Sequence, residues 1–139
     1  MNIIKKTFSF DAAHRLSAHP GRCANIHGHT YHLTVGMAAK GLRDGMVMDF
    51  GEVARLVNAW LEGPDGWDHA LLLDVADPLL EQLRRPCKGM RLVAFAGPPT
   101  AENMADYAFD AMKAMLPEGI VPVSVEVWET PTACAVVER

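Results

Sequence analysis

Long apolar runs are missing from this sequence. Nothing in it approaches the ~18 consecutive apolar residues of a membrane-crossing helix. The opening stretch Met1–Phe10 places two lysines after only two isoleucines, where a secretory leader would carry an apolar core. Cysteine is scarce and odd in number: Cys23, Cys87 and Cys134 stand at irregular spacing and make a poor disulfide framework. A soluble chain in the reducing cytoplasm is the expectation. Positive charge is thin as well. The net charge is −4, and no run of Lys or Arg could follow a phosphate backbone, which argues against nucleic acid as the partner. Repeats, low-complexity tracts and long linkers are absent. What is present is ordinary for a folded domain: half of the 139 residues are apolar, enough for one core spanning 1–139.

Periodicity predicts an α+β chain, with two strands first, a helix, an irregular middle, a second helix and two final strands. In the first strand, Ile4 to about His14, the even positions Phe8, Phe10, Ala12 and His14 share a face. In the second, about His27 to Ala39, the odd positions His27, His29, Tyr31, Leu33, Val35 and Met37 do the same. Asp49 with Glu52 reads as a capping box, opening a helix with Phe50, Val53, Ala54, Val57, Trp60 and Leu61 along one stripe until Gly63-Pro64. Residues 65–97 are mixed, with a helical turn near Pro78–Arg84 and a short strand near Arg91–Phe95. Thr100 caps the next helix, which buries Met104, Ala108, Ala111, Met112 and Met115 and ends at Pro117. Strands Val121–Glu129 and Ala133–Val137 close the chain. The expected architecture is an antiparallel sheet with two helices on one face.

Cys23-Ala24-Asn25-Ile26-His27-Gly28-His29 is the sharpest chemical signal. His27 and His29 project to the same side of a strand, and that side is apolar. His14 ends the apolar row of the preceding strand. If the two strands pair, three imidazoles converge at one end of the sheet. Three neutral imidazoles suit Zn²⁺ and leave a fourth position open, as in catalytic zinc sites. Two other accounts fit the same residues: ordinary hydrogen-bonded histidines, or a closed structural site with Cys23 as fourth ligand. His32 points to the other face by parity, and His19 lies in a loop. Cys23 beside a dication or an imidazole could act as a base or nucleophile; as a buried residue it would be a small core side chain. In Asp68-His69 a carboxylate could fix an imidazole tautomer for proton transfer, or Asp68 could cap a turn. Adjacent side chains do not naturally face each other, so such cooperation needs a special backbone. Glu129 falls on the face of Val121, Val123, Val125 and Val127, where a carboxylate needs paired donors, unless the strand has ended and it turns into water. Glu102 lies in the first turn of a helix, where any acid is favoured.

The segments Phe10-Asp11-Ala12-Ala13-His14, Cys23-x-x-x-His27-Gly28-His29, Met48-Asp49-Phe50-Gly51, Asp68-His69, Pro99-Thr100-Ala101-Glu102-Asn103 and Val127-Trp128-Glu129-Thr130 together resemble the 6-pyruvoyl-tetrahydropterin synthase family. The resemblance extends to its bacterial branch, the 6-carboxy-tetrahydropterin synthases of queuosine (7-deazaguanine) biosynthesis. It implies the tunnelling fold, assembled as a homohexamer with active sites at subunit boundaries, and a zinc-dependent lyase acting on the small molecule 7,8-dihydroneopterin triphosphate. By residue, it implies zinc on His14, His27 and His29, Cys23 as proton-abstracting base, Asp68 and His69 as its relay, Glu129 as pterin anchor and Glu102 as a further pterin contact. The product would be 6-carboxy-tetrahydropterin; the alternatives are the 6-pyruvoyl product, or a non-catalytic zinc- and pterin-binding protein. Trp67 before the Asp-His pair and Cys134 in the last strand depart from the family's pattern. Cys23 sets the chain apart from relatives that carry Glu there.

Overall fold

Alternation of apolar and polar residues organises the first half of the chain. The structure, a computed structural model, describes residues 1–139. Strand β1 (Ile3–His14) buries Phe8, Phe10, Ala12 and His14 and turns Thr7, Ser9 and Asp11 outward. It pairs antiparallel with β2 (His27–Ala39) in a register that sets Phe8 opposite Leu33, Phe10 opposite Tyr31, Ala12 opposite His29 and His14 opposite His27. Strand β5 (Ile120–Thr130) continues the antiparallel sheet beside β2, and β6 (Ala133–Glu138) beside β5.

The sheet does not stop there. β3 (Ala70–Asp74) and β4 (Leu92–Phe95) add two parallel strands next to β1, giving the order β4-β3-β1-β2-β5-β6. The α+β class holds, but the sheet is mixed. The reason lies in Leu71-Leu72-Leu73, an unbroken apolar run of the kind found where both faces of a parallel strand are covered. Ala70 and Leu72 join the main core, while Leu71 and Leu73 pack with Leu80 of a short helix on the opposite face. That helix, α2 (Pro78–Arg84), is the helical turn expected there, formed as a third, two-turn helix.

The two predicted helices cover the main core face. α1 (Phe50–Glu62) buries Val53, Val57 and Leu61. Its cap is one-sided: Asp49 accepts from the N–H groups of Gly51 and Glu52, and Phe50 is exposed rather than part of the stripe. α3 (Ala101–Met115) starts at Thr100, which accepts from the Asn103 N–H, and buries Met104, Ala105, Ala108, Phe109 and Met112. A bulge where β5 passes Gly36/Met37 breaks the expected valine row. Val125 and Val127 are buried, but Val121 lies on the exposed side and Pro122 takes the inner position. No helix is long and apolar enough to cross a membrane.

Candidate active site

Register delivers the three histidines. His14 ends β1, His27 opens β2 directly opposite it, and His29 sits two residues on, on the same face. One ring nitrogen from each lies within 4.8 Å of the others. His14 Nδ1 donates to the Pro99 carbonyl at 2.7 Å, and His27 Nδ1 donates to the Asn25 carbonyl at 2.8 Å. A carbonyl can only accept, so in both rings the proton is on Nδ1 and Nε2 presents a lone pair. Those two Nε2 atoms are 3.1 Å apart. Two lone pairs cannot satisfy each other. His29 Nε2, buried and without any partner, completes the group.

A cation resolves all three. Tetrahedral nitrogen ligands ~2.0–2.1 Å from one centre lie ~3.3–3.4 Å apart, close to the separation of the facing nitrogens. The two carbonyls fix the rings as outer partners of metal-ligating imidazoles do. Burial holds the His14 imidazole below the usual histidine range, against the raising effects of the Pro99 hydrogen bond and the Glu129 charge, which keeps it neutral and fit to ligate. The residues therefore fit a metal ion. Cys23 is not a member of this cluster. It lies half-buried in a 3-10 turn, Arg22–Ala24, in the loop between β1 and β2, where its carbonyl accepts the Leu16 N–H at 2.8 Å.

Glu129 stands beside the triad. β5 extends through Thr130, so the strand has not ended at Glu129. The β5–β6 pairing slips between Trp128 and Thr130, leaving Glu129 as the extra residue of a bulge. Bulges re-aim side chains, and this carboxylate reaches to 3.9 Å from His14 Nε2. Tyr31, fully buried and stacked on Phe10, places its hydroxyl 3.3 Å from His14 Nδ1; burial, and to a lesser degree the Glu129 charge, push its pKa far up, so it stays protonated.

Asp68 and His69 lie elsewhere in the chain, at the start of β3. His69 takes a left-handed backbone, φ 57°, uncommon for a residue with a Cβ. That conformation turns the adjacent side chains toward each other, with His69 Nδ1 3.0 Å from Asp68 Oδ1. The Asp11 N–H donates to the same Asp68 oxygen, and the His69 N–H to the Asp11 carbonyl. Within the chain no hydrogen bond or ion pair links this pair to Cys23 or to the three histidines, and the His69 side chain is 73% exposed. It borders an open depression of about 560 Å³ shared with Asp11, Gly28, His29 and Thr30. Glu102 is exposed in the first turn of α3, without a partner. Sequence inspection missed the roles of Asn25 and Pro99. Both act through main-chain carbonyls, which no residue type marks; their place inside motifs, Asn25 between Cys23 and His27 and Pro99 before the Thr100 cap, is the signal available.

The sequence matches the family described as 6-pyruvoyl tetrahydropterin synthase over residues 3–139. It is 37% identical over 124 residues to a probable 6-carboxy-5,6,7,8-tetrahydropterin synthase of Halobacterium salinarum, covering 89% of this chain and 78% of that one. It is 35% identical over 136 residues to the 6-carboxy-5,6,7,8-tetrahydropterin synthase of Haemophilus influenzae, covering 94% of each. The fold is also that of the Caenorhabditis elegans 6-pyruvoyl tetrahydropterin synthase, with a TM-score of 0.72 at 24% identity over 99% of this chain and 95% of that one.

Proposed function

The chain belongs to the 6-pyruvoyl tetrahydropterin synthase family, and from that premise we propose that it is a zinc-dependent lyase of the 6-carboxy-5,6,7,8-tetrahydropterin synthase type. Its substrate is 7,8-dihydroneopterin triphosphate. With water, the reaction yields 6-carboxy-tetrahydropterin, acetaldehyde and triphosphate, in the cytoplasm and on the route to queuosine and other 7-deazaguanines. The 6-carboxy product is preferred to the 6-pyruvoyl one because the curated relatives at 35–37% identity carry the 6-carboxy name.

The observation that carries this reading is the triad: two outward-locked imidazoles with facing lone pairs and a third buried ring nitrogen without a partner. His14, His27 and His29 hold zinc, which supplies Lewis acidity to the hydroxyls of the substrate side chain. Glu129 accepts the paired N–H groups of the pterin ring bidentately and so sets which side-chain atoms lie over the triad. Cys23 removes a proton from a side-chain carbon as thiolate. His69, held in one tautomer by Asp68, returns a proton at a second atom. Glu102 contacts the pterin from another subunit.

The exposed His69, unconnected to the triad within one chain, supports a site completed by a second copy, in a homohexamer with active sites at subunit boundaries. Replacing Cys23 with Ala tests the assignment. Turnover should vanish while one zinc per chain stays bound. Zinc lost together with activity would instead make Cys23 a metal ligand of a closed structural site.

A further inference from the structure

One cation in the molecule is held by main-chain oxygens alone. Arg91 immediately precedes β4, and its own carbonyl accepts the Leu71 N–H of β3 at 2.8 Å. Its half-buried guanidinium reaches back under the segment joining α1 to β3. Nε donates to the Asp68 carbonyl at 2.9 Å, and Nη2 is shared among the carbonyls of Gly63 at 3.0 Å, Gly66 at 3.1 Å and Leu61 at 3.4 Å. Neither these bonds nor any ion pair gives Arg91 a carboxylate partner. The loop is shaped around it. A Cβ on Gly66 would come to 2.2 Å from the Leu61 carbonyl oxygen, so only glycine lets the loop lie this close to the last turn of α1.

The peptide carbonyl that Arg91 holds belongs to Asp68, the residue just before the left-handed His69. A left-handed backbone at a residue with a Cβ persists only where its surroundings over-determine it. Three restraints do so here: Trp67 is buried in the core on one side, and the Asp68–His69 peptide is held at both ends, its N–H on the Asp11 carbonyl and its C=O on Arg91. We infer that Arg91 is a positioning residue for the Asp68–His69 pair, clamping the carbonyl of Asp68 so that its carboxylate and the His69 imidazole stay in contact. The inference rests on the proton-transfer role proposed for that pair. It also gives the added edge strand β4 a task, since β4 anchors the residue that reaches across. Lysine cannot substitute fully. Its donors radiate from one point, whereas the guanidinium directs Nε and Nη2 to separate carbonyls in one plane.

The test uses the full zinc-loaded protein and the variants Arg91→Lys, Arg91→Ala, Asp68→Asn and His69→Gln. Ring-¹⁵N spectra, with His69 assigned by its loss in His69→Gln, read the imidazole tautomer directly. The wild type should show His69 protonated at Nδ1, facing Asp68. Arg91→Lys should shift His69 toward mixed tautomers, as Asp68→Asn should, and lower kcat by ~10–100-fold with little change in KM, the scale of a misplaced catalytic group. Arg91→Ala should do both more strongly. An Arg91→Lys protein that melts earlier but keeps the wild-type His69 spectrum and kcat would overturn the inference and leave Arg91 a loop pin. Full turnover by His69→Gln would sink the proton-transfer role instead; the ring spectrum of Arg91→Lys would still decide what Arg91 holds.

Discussion

The histidine triad and the Asp68–His69 pair are assembled by opposite means. The triad comes from two long antiparallel strands in regular register, and its rings are locked by the carbonyls of Pro99 and Asn25. One chain builds it completely. The pair sits on a loop, depends on a left-handed residue, and leaves an imidazole largely in solvent. Regular strands place metal ligands well because ligand geometry tolerates little error. Under the proposed role, a proton carrier that meets its substrate only in an assembly can instead be offered on an edge, with the backbone beneath it held by Arg91.

Changes at the two regions should therefore separate. Largest should be His29→Ala or His27→Ala, with zinc lost by metal analysis and turnover reduced by at least ~10³-fold, since metal polarisation supplies several kcal/mol. Next come Cys23→Ala and His69→Ala, each down ~10²–10⁴-fold in kcat with zinc retained. Subunit mixing sharpens this step: joint refolding of the two inactive variants should restore a fraction of the turnover if Cys23 and His69 meet across a boundary. Recovery of none would place both in one chain. Glu129→Gln should raise KM by ~10-fold or more, the loss of charge-assisted hydrogen bonding, and leave zinc in place.

Arg15, directly after His14, sharpens the contrast through stability. Its guanidinium holds the buried Asp77 through two hydrogen bonds at 2.5 and 2.6 Å. Arg15→Ala should cost about 3 kcal/mol in urea unfolding, because the remaining carboxylate is stranded. The Arg15 bonds, helped by the Leu79 N–H and opposed by burial, hold the Asp77 carboxyl below the ordinary range. Its contribution is therefore present above the unfolded carboxylate pKa and is lost as pH falls through the lower folded value. Wild type should lose more stability between pH 7 and pH 3 than Asp77→Asn. Smallest is Arg139→Ala: its bonds to Asp106 and Asp110 are half exposed, and the change should stay below ~1 kcal/mol.

Strand parity was enough to bring His14, His27 and His29 to one face, because two regular strands obey it without exception over those residues. The same parity failed at Val121, where a bulge shifts the register by one residue. It also missed β3, because Leu71-Leu72-Leu73 has no alternation when both faces are covered, although the short strand expected near Arg91–Phe95 is β4. Asp68 and His69 could be named as a motif, but their contact depends on one left-handed φ that no periodicity encodes. The carbonyls of Asn25 and Pro99 and the reach of Arg91 stay hidden for a related reason: main-chain acceptors carry no residue signature.

The most direct test of the central claim is mass spectrometry of the products formed from 7,8-dihydroneopterin triphosphate by the zinc-loaded protein. A 6-carboxy-tetrahydropterin with acetaldehyde is the predicted result. A 6-pyruvoyl product would keep the site and change the reaction's end point. Unchanged substrate, with zinc bound at the triad, would contradict the catalytic assignment and leave the three histidines a binding or structural role.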